Sequence, residues 1–309
     1  MTSPNEAGGG SRTILWCVPR AISTAFAKCL SYIEDTEVWF EPYTYSYAAR
    51  VQYELHTKLK IPKEYEGNEK IFETVKEYTD RVINTKSEPD RLPYGSVKRS
   101  LEKSTAKHVF VKDMAFGVPD GYREYLPKGY RHTMLIRDPE RFLMSYRRTI
   151  FKHYSDVGAL KGEAANEKTF DLQRDDDFIA NSQGWYMKDL YDLWKYLQDS
   201  GIDPIIIDGD DLLTKPAETL SAYCAAVGLP YNDSLLRWDA SVEAFKKMKA
   251  CGDNLLMDIV TFYGTAMKSS CFLPPRKKPP RDQLPADVIK GSDEVMKYFE
   301  EMYEARLKV

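Results

Sequence analysis

The feature that most limits what this chain can fold into is a pair of apolar runs, each broken at an arginine and resumed as a helix. The first, Thr13-Ile-Leu-Trp-Cys-Val18, stops at Pro19-Arg20 and continues through Ala21, Ile22, Ser23, Thr24 and Ala25. Such a run reads as a buried strand, and the break delivers Ser23 and Thr24 to a helix start, where free amides and hydroxyls face an anion. The second, His132-Thr-Met-Leu-Ile136, ends at Arg137, and Asp138-Pro139 supplies an N-cap and a first-turn proline. Ser145 follows eight residues after Arg137, two turns along that helix and on the same side of it. Together the two segments predict a ligand with phosphates at both ends.

Strand-like runs recur at Thr13 to Val18, Glu37 to Phe40, His108 to Val111, His132 to Ile136 and Pro204 to Ile207, with longer helical stretches between them. That alternation predicts an α/β fold, a three-layer sandwich with a mostly parallel central sheet. Ile71, Val75, Tyr78 and Val82 share one helical face, as do Tyr186, Leu190, Leu193, Trp194 and Leu197 before Gly201. A further helix is expected from Lys215-Pro216 to about Gly228, and a last one from Ser292 to Leu307. The polar stretch 155–177 reads as a surface insertion, either a lid or a plain solvated loop, and the proline-rich, basic stretch 272–281 as a surface crossing. No internal repeat or clean boundary divides the core. Residues 1–12 read as a flexible leader and 13–309 as one domain.

Composition narrows the partners. With 44 basic and 47 acidic residues the net charge is −3, so no global positive field holds nucleic acid or an anionic membrane surface, and an anion site has to be local. The start of the chain lacks the basic and apolar regions of a signal peptide, and no stretch approaches the ~20 apolar residues that span a bilayer. A soluble, cytoplasmic protein is expected. The five cysteines form no CxxC pair, which suggests neither a disulfide framework nor a zinc site.

In open α/β sheets ligands collect at the carboxyl ends of the strands. Arg20, Glu41, Lys112 and Arg137 each follow a predicted strand and would gather on one edge. Glu41 stands among Trp39, Phe40 and Tyr43, and reads either as a candidate base, a carboxylate in apolar surroundings, or as a solvated loop acid. Lys112-Asp113 reads either as part of the site or as an ion pair at a strand end. An ATP-hydrolysing P-loop needs glycines for close backbone approach and a lysine for the outer phosphates. The loop between Val18 and Phe26 has neither.

Pro19-Arg-Ala-Ile-Ser-Thr24 resembles the 5′-phosphosulfate loop of sulfotransferases that use 3′-phosphoadenosine 5′-phosphosulfate (PAPS), usually Pro-Lys/Arg-Ser-Gly-Ser/Thr-Thr, and the Arg137 to Ser145 spacing is similar to that family's 3′-phosphate motif. Ile207 to Leu213 and Pro216 to Leu229 resemble the strand, short turn and helix that follow in these proteins, and Phe40-Glu-Pro-Tyr43 and Thr261 to Phe272 resemble segments of a sulfotransferase-like branch. The resemblance implies a P-loop-like sulfotransferase fold and sulfuryl transfer from PAPS to a hydroxyl or amine of a small molecule, aromatic or apolar, with the bisphosphate PAP as product and no metal. Arg20, Ser23 and Thr24, with the amides of Ala21, Ile22 and Ala25, would hold the 5′-phosphosulfate, and Arg137 and Ser145 the 3′-phosphate. Arg20 would stabilise the leaving group with help from Lys112, Glu41 would be the base with Asp113 second, and Arg276 and Lys277 would clamp the 3′-phosphate.

The chain departs from the pattern at Ala21-Ile22, in place of Ser-Gly, and at Met114, where many relatives place a histidine two residues after the lysine. His56, His108 and His132 read as ordinary helix or strand residues, and His153 alone approaches the expected site. Two rival expectations follow: a non-catalytic nucleotide-binding protein of the same fold, and a nucleotide or small-molecule kinase.

Overall fold

The computed structural model describes residues 10–83, 86–182, 184–252 and 260–309, without the side chains of 82, 83, 181, 260 and 261. Five strands, β1 (Arg12–Cys17), β2 (Thr36–Phe40), β3 (His108–Met114), β4 (Arg131–Ile136) and β5 (Ile205–Asp208), form one sheet in the order β2-β3-β1-β4-β5. Every pairing is parallel. All five lie where the apolar runs predict them. In β1, β3 and β4 nearly every consecutive residue is buried, so both faces of the sheet are covered and the architecture is a three-layer α/β sandwich.

The two faces have different company. On one, Phe110 meets the Phe26 ring at 6.0 Å and Phe26 meets Tyr223 at 4.9 Å, which seats α1 (Ser23–Leu30) and the helix Pro216–Val227. On the other, Trp16 packs on Tyr43 at 5.9 Å and donates to His132 Nδ1 at 3.0 Å, which seats the start of α2 (Pro42–Thr57). Helix α3 (Glu69–Ile83) packs on α2 through a smaller apolar cluster of Tyr45, Ala49, Tyr53, Phe72 and Val75. After α4 (Tyr94–Lys103) and β3, β4 leads into α5 (Pro139–Asp156), whose N-cap Asp138 accepts from Arg141 N–H at 3.1 Å.

Several expected boundaries move. The leader expected over 1–12 falls largely on residues outside those described, and Ser11 is already buried, its hydroxyl donating to Val227 O at 2.7 Å. The last helix runs Ala286–Glu304, starting six residues and ending three residues earlier than the sequence suggests. Its internal glycine is there for contact: a β-carbon on Gly291 would stand 2.8 Å from the Trp185 ring. The stretch 155–177 carries short helical turns, and its end is pinned by Asp176, which accepts from Tyr146 and Tyr154 hydroxyls at 2.9 and 2.8 Å. Among the described residues no helix is long and apolar enough to cross a membrane.

Candidate functional site

Strands β1 and β4 are neighbours whose outgoing connections lead to opposite sides of the sheet, the switch point at which α/β folds open a crevice. The loop after β1 is strained there. Arg20 and Ile22 both occupy the left-handed region, at φ 64° and 74°, and Ile22 has a β-branched side chain that disfavours it. The loop thus keeps the turn that glycine gives in the resembling motif. Ile22 offers α1 no capping side chain, and the first amide to bond back is Phe26 N–H to Ile22 O at 3.1 Å. The preceding amides of the first turn are left without a cap and carry the positive end of the helix dipole.

Arg20 and Ser145, expected at opposite ends of a ligand, touch: Arg20 Nε donates to Ser145 Oγ at 3.2 Å. Arg20 Nη1 donates to Phe262 O at 2.6 Å, and Arg137 Nη1 to Arg20 O at 2.8 Å. The two guanidiniums and the serine therefore form one cluster spanning the loops after β1 and β4. Burial lowers the pKa of both arginines from the ordinary value; at Arg137 the charge of Asp210 opposes that fall. Arg137 Nε and Asp210 Oδ1 are both buried without a hydrogen-bond partner and lie 3.7 Å apart as an ion pair, while Arg141 Nε takes the other Asp210 oxygen at 2.8 Å. An orphaned cationic donor in a desolvated site is a group for which an anionic ligand is the natural complement.

The turn after β5 comes this close because Gly209 has no side chain: a β-carbon there would stand 3.2 Å from Ala21 O. The basic stretch 272–281 reaches the same side. Arg141 Nη1 donates to Arg276 O at 2.8 Å, and Lys278 pairs with Glu140 at 2.6 Å. Arg276 and Lys277 themselves are exposed.

On the other side of the loop after β1, Glu41 and Lys112 form an ion pair, each 2% exposed. Glu41 is held at φ 56°, its amide donates to Lys112 O at 2.7 Å, and its second carboxylate oxygen accepts from Tyr263 at 2.9 Å. Lys112 also lies 4.7 Å from the Phe40 ring centre. Burial works against its charge, but Glu41, joined by Cys17 and Asp113, outweighs it and raises the pKa. The adjoining Asp113 points to the opposite face, as strand alternation requires. There it accepts from Tyr43 N, Thr44 N and Thr44 Oγ1 at 2.6, 3.0 and 2.7 Å, tying down the start of α2. Burial pushes Asp113 up to about 7 against those bonds. The second-choice base is engaged in holding a helix, on the side of the sheet away from Lys112.

His132 accepts from Trp16, His108 Nδ1 from Ser11 N–H, and exposed His56 contacts its own helix. His153 meets the Phe262 ring at a tilt, with 5.0 Å between ring centres. Sequence reasoning missed three participants. Tyr263 lies in a segment singled out without a role. Lys28 is buried and donates to the carbonyls of Ala266, Met267 and Ser269 at 3.3, 2.8 and 3.0 Å, capping the helix Val260–Lys268. Asp210 lies in a turn that the sequence marks only by its resemblance in shape. No group of three or more His, Cys, Asp or Glu suited to a metal occurs among the described residues.

No protein-family model matches the chain. It is similar to two curated proteins of Arabidopsis thaliana, branched-chain-amino-acid aminotransferase-like protein 1, at 24% identity over 226 residues, and protein 2, at 23% over 225, each match covering 73% of this chain. The chain spans 31% of the length of either relative. Among solved structures it is similar to the sulfotransferase domain of the Synechococcus PCC 7002 olefin synthase, with 12% identity, a TM-score of 0.46 and coverage of 94% of this chain and 96% of that one. The sulfotransferase domain from the curacin biosynthetic pathway gives 12%, 0.41, 97% and 98%. The sulfotransferase from Alicyclobacillus acidocaldarius gives 10%, 0.42, 84% and 96%. Scores at this level leave the weight on the geometry of the site.

Proposed function

We propose that this chain transfers a sulfuryl group from PAPS to a hydroxyl or amine of a small molecule. The observation that carries the reading is the joined cluster of Arg20, Ser145 and Arg137 at the switch point, beside an uncapped helix start and with Arg137 Nε orphaned. A nucleotide with a phosphate at each end is the ligand this reading assigns to the cluster. The donor supplies an activated sulfuryl group, whose transfer is governed by positioning and charge.

In this reading the amides of Ser23, Thr24 and Ala25, with Ser23, Thr24 and Arg20, hold the 5′ end, and Ala21 and Ile22 shape the turn. Arg137 and Ser145 hold the 3′-phosphate, with Arg276 and Lys277 closing over it from the basic stretch. Arg20 stabilises charge on the departing phosphate, with Lys112 behind it. No metal is assigned a part. The aromatic cluster in which Tyr47 packs on Phe116 at 5.4 Å and Phe116 on Tyr186 at 5.0 Å supports an aromatic or apolar small molecule as the acceptor. A cytoplasmic site of action agrees with free cysteines.

Calorimetry with adenosine 3′,5′-bisphosphate tests the reading, compared with adenosine 5′-phosphate and with ADP plus magnesium. Tight binding of the bisphosphate alone is expected. Arg137→Ala should weaken it by about 10- to 100-fold, the range of a lost charge-assisted hydrogen bond, with little effect on the monophosphate. Equal affinity of wild type and variant for the bisphosphate removes the 3′-phosphate assignment.

A further inference from the structure

Glu41 is poorly placed to meet an acceptor itself. It is 2% exposed, and its two carboxylate oxygens are taken by Lys112 and Tyr263. Tyr263, by contrast, is only half-buried. Its ring meets Phe40 edge-on at 5.1 Å, and the preceding residue on its helix, Phe262, gives its carbonyl to Arg20. The hydroxyl therefore bonds the buried carboxylate from a helix that Arg20 also holds. The charges of Glu41 and Arg20 both reach it and act on its proton in opposite senses. A buried carboxylate hydrogen-bonded to the hydroxyl of a half-buried tyrosine is an arrangement that can serve as a proton relay, in which the rear group orients the front one and receives the proton.

We infer that Tyr263 is the catalytic residue facing the acceptor and that Glu41 acts through it, an inference resting on the sulfuryl-transfer reading. The acceptor oxygen forms a bond to sulfur as the bond from sulfur to the bridging phosphate oxygen breaks, with its electron pair passing to the phosphate beside Arg20. The acceptor's proton moves to the Tyr263 oxygen while the proton of Tyr263 moves to Glu41. Tyr263 ends as it began, and Glu41 holds the proton until it returns to solvent. Burial and the neighbouring carboxylate hold the tyrosine well above its ordinary pKa, so it remains a neutral phenol, able to give and take a proton together.

Two measurements test the relay. PAPS cleavage is followed with water and with a simple phenol as acceptors, in wild type, Tyr263→Phe, Glu41→Gln and the double variant. The expected result is a loss of 100-fold or more in each single variant, no further loss in the double variant, and bisphosphate affinity and melting temperature close to wild type for Tyr263→Phe. A Tyr263→Phe protein that cleaves PAPS at the wild-type rate, or losses that multiply in the double variant, overturns the relay alone. A wild type that binds no bisphosphate or cleaves no PAPS overturns the relay together with the function it rests on. In the free protein, 3-fluorotyrosine at position 263 should show a fluorine resonance that moves in Glu41→Gln and again on addition of the bisphosphate. A resonance indifferent to both overturns the relay without reference to turnover.

Discussion

Ile22 carries a branched side chain at φ 74°, a conformation in which its β-carbon crowds the backbone and which glycine adopts freely. Strain of this kind persists where the surroundings over-determine it, and it gathers at binding sites. Here it is shared by Arg20 and Glu41 on the same edge. Removing the Ile22 side chain should therefore cost less with glycine than with alanine. Ile22→Gly is expected to be more stable than Ile22→Ala by about 1 kcal/mol, read from urea denaturation midpoints; an alanine variant equal to the glycine variant would mean the loop relaxes out of the left-handed turn. The chemistry-bearing residues after each strand were legible from the sequence, because an arginine or glutamate ending an apolar run has only one edge of a parallel sheet to occupy. Their orientation was not. Lys112 and Asp113 adjoin in sequence, and only the pleat decides which of them shares a face with Glu41.

Elements were readable to the extent that they are buried on regular faces. The five strands announced themselves because a strand covered on both sides is apolar throughout. The helix Val260–Lys268 did not, because what fixes it is remote: Lys28 comes from 238 residues or more away, Arg20 from 242 and the Glu41 partner of Tyr263 from 222. No local pattern records such contacts. Lys28 satisfies three carbonyls at the end of that helix, and a methionine of similar reach would leave them bare. Lys28→Met should lose on the order of 2 kcal/mol, the range for buried acceptors stripped of a charged donor. Hydrogen exchange in 262–268 should rise in step, and an unchanged denaturation midpoint would show that water replaces the ammonium.

Across the whole molecule, stability against pH carries the signature of groups buried in the wrong charge state. Burial lowers His132 from 6.5 to about 4, so the native state leaves it neutral where the unfolded chain protonates it. Its contribution is present above about 6.5 and is lost as pH falls towards 4. Asp208, raised by burial to about 6, and Asp113, raised to about 7, act in the opposite sense, since the native state holds protons that the unfolded chain has released. Their pull weakens stability as pH rises from about 4 to 7. His132→Asn, whose amide oxygen still accepts from Trp16, isolates the histidine. Between pH 6.5 and 4 the wild type should lose stability relative to the variant, as read by urea denaturation at stepped pH, and parallel curves would show that His132 is protonated in the fold.

The alternation of Lys112 and Asp113 along one strand has a bearing on how this protein polices its own assembly. If β3 slipped by a single residue against its neighbours, the ammonium would land where a helix start needs an acceptor, and the carboxylate would land beside Glu41. Such a misaligned chain would lose an anchor and gain a repulsion at once. Structural integrity and chemical competence are therefore proofread by the same dipeptide, and a population of molecules that is folded but misregistered in its site has little room to accumulate.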